Sequence, residues 1–406
     1  MVTTAGLIEA YYDYRKNKRK TASALVYEMD YESKLIALRD RINTQTYKPG
    51  KSICFVVTRP RHREVFAASF EDRIIHHYIA LRLEPLFEQV FCPYTYNCRK
   101  EKGQLYGVNM LKQQVIECSQ NYTKDCYIMK LDLSGFFMSI NKDILAKKID
   151  DFVVERYKGE GVSPDVWQDY PAEDKEDLRR LCRIVIYHEP EKNCERHSPA
   201  SYWDYLPPNK SLFTNGEGLG IAIGNLFAQL FANFLLNELD WYLEELGFTY
   251  HGRYVDDFYL IHPDKQKLLM AVQPIREKLA SLGLRLNEKK TYIQHYTKGV
   301  QFTGSIVKPR RSYTCNHTVT NFVASIRRLN RAKELRHVEH AVCSINSYLG
   351  LMKYNNEYNT RKKVLRLIES PAYEYIYIKK NCSIVALKNK YKKRLQTYRR
   401  IRDGDY

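Results

Sequence analysis

Apolar and polar positions divide this chain into short alternating runs near its start and long helical periods towards its end. Residues 1–20 read as a short helix with a basic end, Arg15-Lys-Asn-Lys-Arg-Lys20, and residues 21–48 carry helical periodicity around Leu35, Leu38 and Ile42. Ser52–Thr58 and Arg63–Ala67 are rich in β-branched and aromatic residues and are separated by Arg59-Pro-Arg-His, so they read as two strands joined by a turn. From Phe70 to Phe87, Ile74, Ile75, Tyr78, Ile79, Leu81 and Leu83 recur at helical spacing. A loop, Cys92–Gly103, leads into a second helix ending near Ser119, then a strand, Tyr127–Leu133, and a helix from about Lys142. Residues 151–215 are polar and broken by Pro190, Pro199, Pro207 and Pro208; a helix over 175–187 followed by an extended insertion is expected. Gly220–Leu246 reads as a long apolar helix after a glycine-rich turn. A hairpin, a helix over 264–282, short strands around Arg285 and Tyr292 and a pair over 300–307 follow. From Thr318 onward the pattern is wholly helical and basic.

The hairpin carries the most informative residues. Tyr254-Val255-Asp256-Asp257 stands between Phe248-Thr-Tyr-His-Gly-Arg and Phe258-Tyr-Leu-Ile, so two adjacent carboxylates interrupt an apolar β pattern. Buried acids cost stability unless a cation or a turn accommodates them. An ordinary polar turn would do so, but Lys130-Leu-Asp132-Leu is a second strand-like run ending in a lone carboxylate. Two carboxylate-bearing strand ends suit two-metal phosphoryl transfer, where ions about 4 Å apart hold the attacking and leaving oxygens. Downstream of Asp132, an aromatic residue can wall the pocket for a nucleotide sugar. Phe137 would clash with a 2′-hydroxyl and favour deoxynucleotides; one of Phe136 and Phe137 is expected to serve core packing instead.

Asp132-x-x-x-Phe136-Phe137, a glycine-turn helix, Tyr254-Val-Asp-Asp257, Leu284-Arg-Leu-Asn-Glu-Lys-Lys290-Thr and Phe302-Thr-Gly304 occur in this order. Over residues 50–310 this resembles the palm of a reverse transcriptase. The resemblance implies an α+β right-hand polymerase with fingers, a palm of antiparallel sheet plus helices, and a helical thumb. Its segments would be an N-terminal helix and fingers (1–125), a palm (126–317) with the insertion at about 151–215, a thumb (318–375, including Ser344–Gly350) and a basic tail (376–406). It further implies that Asp132 and Asp256 bind both catalytic Mg²⁺ ions, with Mn²⁺ able to substitute, and that Asp257 supports them. Lys290, or Lys289 beside it, would protonate the departing pyrophosphate, and Arg63 and Arg99 would grip the triphosphate.

The subfamily resemblance lies in Trp203-Asp-Tyr-Leu-Pro-Pro-Asn-Lys-Ser-Leu-Phe213 and in Ile223-Gly224 with Ala228-Gln229. These resemble reverse transcriptases of diversity-generating retroelements, although Ala228 stands where those enzymes usually have Ser. An aliphatic Ile223 cannot hydrogen-bond the nascent base pair, so discrimination that rests on such bonds should weaken. The resemblance implies copying of a template-repeat RNA into cDNA mutagenised opposite adenines. It also implies a pentameric accessory variability protein as partner, besides template RNA, cDNA and dNTPs. A retron or phage-defence reverse transcriptase is the alternative, faintly suggested by Asn193-x-x-x-His197 and Phe302-Thr-Gly304.

Charge fits a polyanionic partner: the net formal charge is +18, and the ten Lys/Arg and two Asp of 376–406 account for +8 of it. Lys392, Lys393, Arg394, Arg399 and Arg400 are the expected RNA-phosphate contacts, and the 33 tyrosines include candidates for base stacking. No apolar run approaches the ~18 residues of a membrane span, and the N-terminus lacks the apolar core of a signal peptide. The ten cysteines form no CxxC pair and are expected to be free thiols in a reducing cytoplasm. Cys182, His188, Cys194 and His197 could be assembled into a zinc set, but their spacing fits no common pattern. Gly216, Gly218, Gly220 and Gly224 lack the upstream strand and downstream acid of a dinucleotide site.

Overall fold

The computed structural model describes residues 1–16, 18, 21–58, 61–158, 172–355 and 357–395. Arg399 and Arg400 lie outside the described residues, as does part of the turn after Thr58. The strands are β1 (Ser52–Val57), β2 (Arg63–Ala67), β3 (Tyr127–Asp132), β4 (Cys194–Arg196), β5 (Tyr250–Tyr254), β6 (Asp257–His262), β7 (Tyr292–His295), β8 (Val300–Phe302), β9 (Ser305–Lys308), β10 (Arg311–Thr314), β11 (Ile376–Ile378) and β12 (Val385–Leu387). Helices and these largely antiparallel strands make the α+β architecture expected. Two compact units emerge: residues 1–103, 129–260 and 265–292 form one, and 104–128, 261–264 and 293–406 the other.

In the first unit, β1 and β2 pair antiparallel, with Ile53 opposite Ala67 and Val57 opposite Arg63. β4 then adds parallel to β1, with Ser52 opposite Cys194. The 151–215 insertion is therefore partly a strand of this sheet rather than extended chain. What anchors it is Glu64, a buried carboxylate on β2. It accepts hydrogen bonds from Trp203 Nε1 (2.9 Å), Ser211 Oγ (2.8 Å) and the Leu212 amide (2.8 Å). Three donors on one carboxylate offset much of its desolvation.

The long apolar helix begins at Leu226, not near Gly220, and runs to Glu245. Gly220 and Gly224 have φ of +89° and +117°, which excludes them from a right-handed helix. Gly224 is also forced by space: a Cβ there would stand 2.6 Å from Val65 Cγ1 and 2.7 Å from the Phe66 carbonyl oxygen. The turn is instead tied by backbone bonds, from the Phe66 amide to the Ile223 carbonyl (2.8 Å) and from the Ile221 amide to the Phe137 carbonyl (2.9 Å). The following sheet has the order β5-β6-β3-β7.

The second unit holds the sheet β10-β9-β8 and helices Asn316–Asn330, Leu335–Tyr354 and Tyr358–Leu365. The expected wholly helical pattern beyond Thr318 does not hold, because β11 and β12 form an antiparallel hairpin. Nor do residues 376–395 form a separate tail: Ile376, Val385, Leu387 and Leu395 share one apolar core with Phe322, Ile326, Ile345 and Leu349. Helix Gln104–Cys118, expected with the fingers, belongs to this unit. No helix among the described residues is long and apolar enough to cross a membrane.

Candidate active site

β3 delivers Asp132 at its last residue, the two-residue link between β5 and β6 delivers Asp256, and β6 opens on Asp257. The Leu133 amide donates to the Asp256 carbonyl at 3.3 Å, which sets the two carboxylate-bearing segments side by side. On the other flank the Asn287 amide donates to the Asp132 carbonyl (2.8 Å) and the Ser134 amide to the Arg285 carbonyl (2.9 Å). The Leu-Asn-Glu turn is thereby docked against Asp132. Lys290 Nζ then reaches Asp132 Oδ2 at 2.7 Å, and Asn287 Nδ2 reaches the same oxygen at 3.2 Å. Lys290, rather than Lys289, faces the acid.

Burial, reinforced by the nearby Asp132 charge, raises the pKa of Asp256, while Lys290 and Arg63 pull it down. Asp257 lies on the first residue of β6 and pairs with the buried Lys130 ammonium. Burial pushes Lys130 down to about 7, and Asp132 and Asp256 oppose that shift. These side chains fit a hard divalent cation, which takes carboxylate and carbonyl oxygens. Asp132 and Asp256 place two repelling carboxylates together, and a cation relieves that repulsion. Asp257, by contrast, is engaged by Lys130.

Val255, at the tip, has φ of +60°, a region costly for a β-branched residue. Two groups hold it there. Its amide donates to Asn97 Oδ1 (2.9 Å), and its carbonyl accepts from Arg253 Nη1 (3.1 Å). Arg253 is itself 1% exposed and forms a fork on Asp240, with Nε to Oδ1 at 2.8 Å and Nη2 to Oδ2 at 2.5 Å; Nη1 also bonds Asn233 Oδ1 at 3.0 Å. Asp240 accepts a further bond from Thr95 Oγ1 (2.8 Å). A buried guanidinium with a bidentate carboxylate is a rigid clamp. Gly252 lets this strand pass close to its neighbours, since a Cβ there would meet the Tyr96 and Tyr259 hydroxyls, themselves 3.0 Å apart.

A cavity of about 160 Å³ opens beside the turn. Arg63, Phe137, Ile223, Gly224 and Gln229, all anticipated from sequence, line it together with Tyr254 and Val255. Phe136 is buried and Phe137 half-buried, and both line the cavity. Ile223 and Phe137 both pack against an apolar cluster containing Phe66, Met138 and Ala222. Arg63 is exposed at the start of β2.

Arg99 does not take the expected role. Its guanidinium binds Glu88 through Nε (2.9 Å) and Nη2 (2.8 Å) and the Cys92 carbonyl through Nη1 (2.7 Å), so its donors are spent on holding the loop. Lys392, Lys393 and Arg394 are exposed in the second unit. The set Cys182, His188, Cys194 and His197 does not form a metal centre: Cys182 is buried within a helix and His197 pairs with Glu195 at 2.9 Å.

A family model for reverse transcriptase (RNA-dependent DNA polymerase) matches residues 58–307, more than half of the chain and all of the site described above. The chain belongs to the reverse transcriptase family. The Escherichia coli (strain K12) protein YkfC is 22% identical over 314 residues, covering 68% of this chain and 71% of that protein. Among solved structures, apo telomerase from Candida tropicalis aligns with a TM-score of 0.48 and 13% identity over 80% of this chain. Telomerase from Candida albicans in complex with a fragment of telomeric RNA aligns with a TM-score of 0.44 and 11% identity over 84%. A Candida tropicalis telomerase truncated from its C-terminal domain gives 0.46 and 14% over 70%. The chain spans 56–64% of the length of these telomerase chains.

Within this reverse transcriptase site, sequence reasoning missed Lys130, Asn97, Arg253, Asn233 and Asp240. Lys130 and Arg253 stand two and three residues before the aspartates, and a buried cation so close to an acid in a strand was a readable signal. Asn97, Asn233 and Asp240 carried no such signal.

Proposed function

We propose that this reverse transcriptase is the RNA-directed DNA polymerase of a diversity-generating retroelement, copying template-repeat RNA into cDNA mutagenised at adenines. The observation that carries the reading is the placing of Ile223 and Gly224 in one cavity with Phe137 and the Tyr254–Val255 turn. An aliphatic side chain at that wall offers no hydrogen bond to a nascent base pair, and shape alone discriminates weakly. Phe137, half-buried and packed, is positioned to exclude a 2′-hydroxyl.

Two Mg²⁺ ions, held by the carboxylates of Asp132 and Asp256 with Asp257 in support and replaceable by Mn²⁺, would activate the primer 3′-hydroxyl and neutralise charge on the α-phosphate. Arg63 binds the triphosphate from the mouth of the cavity, favoured over Lys by its planar fork. Lys290, whose ammonium bonds Asp132 Oδ2, would protonate the leaving pyrophosphate. Asn97 and Arg253 keep the strained turn in place through both steps. The exposed Lys392, Lys393 and Arg394 contact RNA phosphates, together with Arg399 and Arg400. The accessory protein, a pentameric helical bundle, docks on basic surface.

Primer extension on RNA with dNTPs and Mg²⁺ tests the reading. Wild type extends and Asp256→Ala does not; equal extension by both removes the polymerase assignment. Sequencing of the cDNA then tests the subtype. Misincorporation concentrated opposite adenine is expected with the cognate RNA and accessory protein, and an even error spectrum leaves only a general reverse transcriptase.

A further inference from the structure

Away from the aspartates, a second group of ligand-type side chains converges. Cys92 lies in the turn after helix Phe70–Val90, Glu244 in the last turn of helix Leu226–Glu245, and His251 on β5. Cys92 Sγ stands 3.6 Å from His251 Nε2 and 3.8 Å from Glu244 Oε1, and the three donor atoms all lie within 4.8 Å of one another. Bonds of about 2.3 Å to sulfur and 2.0–2.1 Å to nitrogen or oxygen at tetrahedral angles put neighbouring donors roughly 3.5 Å apart. The two separations from Cys92 Sγ match that edge length to within a few tenths of an ångström.

The orientation of the imidazole is an independent sign. His251 Nδ1 faces the Phe248 carbonyl at 3.0 Å, so Nδ1 carries the proton and Nε2 presents its lone pair towards Cys92. A backbone carbonyl on the distal nitrogen is the usual way in which a zinc-binding His is oriented. Tyr94 packs edge-on against the ring at 4.9 Å and 71°. Cys92 is likewise fixed, its amide donating to Asn237 Oδ1 at 2.8 Å. Cys92 and His251 are buried at 0% and 1% exposure. An imidazole lone pair, a carboxylate and a thiol thus face each other.

We propose that Cys92, Glu244 and His251 bind a zinc-class divalent cation, with water or the second Glu244 oxygen completing the coordination. Thiolate and imidazole select such an ion over Mg²⁺, so the site is chemically distinct from the aspartates. On binding, the Cys92 S–H bond breaks, its proton goes to solvent and the sulfur bonds the metal with no change in oxidation state. The ion ties together three segments that support the catalytic turn. Residues 94–96 already pair with β5 through Arg253 amide to Tyr94 carbonyl and Tyr96 amide to Arg253 carbonyl, both 2.9 Å. Asn97 and Arg253, which hold Val255, lie on those same segments.

The test uses the full chain, stripped with a chelator and titrated with Co²⁺ alone, then with Zn²⁺. One Co²⁺ per chain should bind with a thiolate-to-cobalt charge-transfer band, and Zn²⁺ should displace it and raise Tm. Cys92→Ser should lose the band, whereas Cys343→Ser, at an exposed thiol, should keep it. Should Cys92→Ser not fold, Glu244→Gln at the more exposed edge serves instead and should weaken Zn²⁺ binding by about 10-fold or more. Absence of the band in wild type, its survival in Cys92→Ser, or unchanged Zn²⁺ affinity in Glu244→Gln overturns the proposal.

Discussion

The Tyr254–Asp257 turn and the Gly220–Asn225 turn look onto the same cavity, yet they are held by different physics. The first is a strained tip fixed by a buried ion pair: Val255 sits at φ +60° because Asn97 and the Arg253–Asp240 clamp hold its amide and carbonyl. The second is fixed by main-chain bonds to the Phe66 amide and the Phe137 carbonyl, and by the missing side chain of Gly224. The Ile223 side chain plays no part in those bonds, although the Ile223 carbonyl accepts one of them. The difference teaches that the position of the aspartates is locked to the fold, whereas the side chain at 223 can change while the backbone stays.

Four measurements would break or sharpen that contrast. The largest effect belongs to the carboxylates: Asp132→Ala or Asp256→Ala should lower the primer-extension rate on the order of 10³-fold or more, and Asp256→Ala should not reduce the melting temperature, since a buried, repelled carboxylate is removed. Arg253→Met should cost roughly 3–5 kcal/mol of stability, because Asp240 is left buried without its cation. Arg253→Met with Asp240→Leu should recover much of that loss in a chemical denaturation series, and a double variant no better than the single one would remove the clamp from the account. Gly224→Ala should be smaller, about 1–3 kcal/mol, as the turn shifts to relieve the contact with Val65 and Phe66. Ile223→Gln should be smallest in stability, within about 1.5 kcal/mol, yet should lower misincorporation opposite adenine. An unchanged error spectrum, read by sequencing the products, would take Ile223 out of the fidelity argument.

Legibility followed the range of the interaction. Strands β1, β2, β3, β5 and β6 and helix Phe70–Val90 were readable because each is encoded by local alternation or helical repetition. The start of helix Leu226–Glu245 was misread because Ile221, Ala222 and Ile223 continue its apolar character, while the positive φ of Gly224 ends it. The β11–β12 hairpin was missed because three-residue strands carry almost no periodic signal. In the site, Asp132, Asp256, Phe137 and Ile223 were legible as a motif order. Arg99 was misassigned because a basic loop residue looks the same in sequence whether its partner is a phosphate or Glu88.

By itself, the sequence determined the kind of chemistry: three aspartates at or beside strand ends in a reverse transcriptase order, a basic chain and an aliphatic residue at 223. Those properties reside in the residues themselves and in spacings of a few positions, so they survive being read in one dimension. Only tertiary structure decided what holds the aspartates in place, which lysine faces Asp132, and that Cys92, Glu244 and His251 meet. Cys92 and Glu244 are separated by 152 residues, and no local pattern records a contact that forms only when a loop, a helix end and a strand pack together.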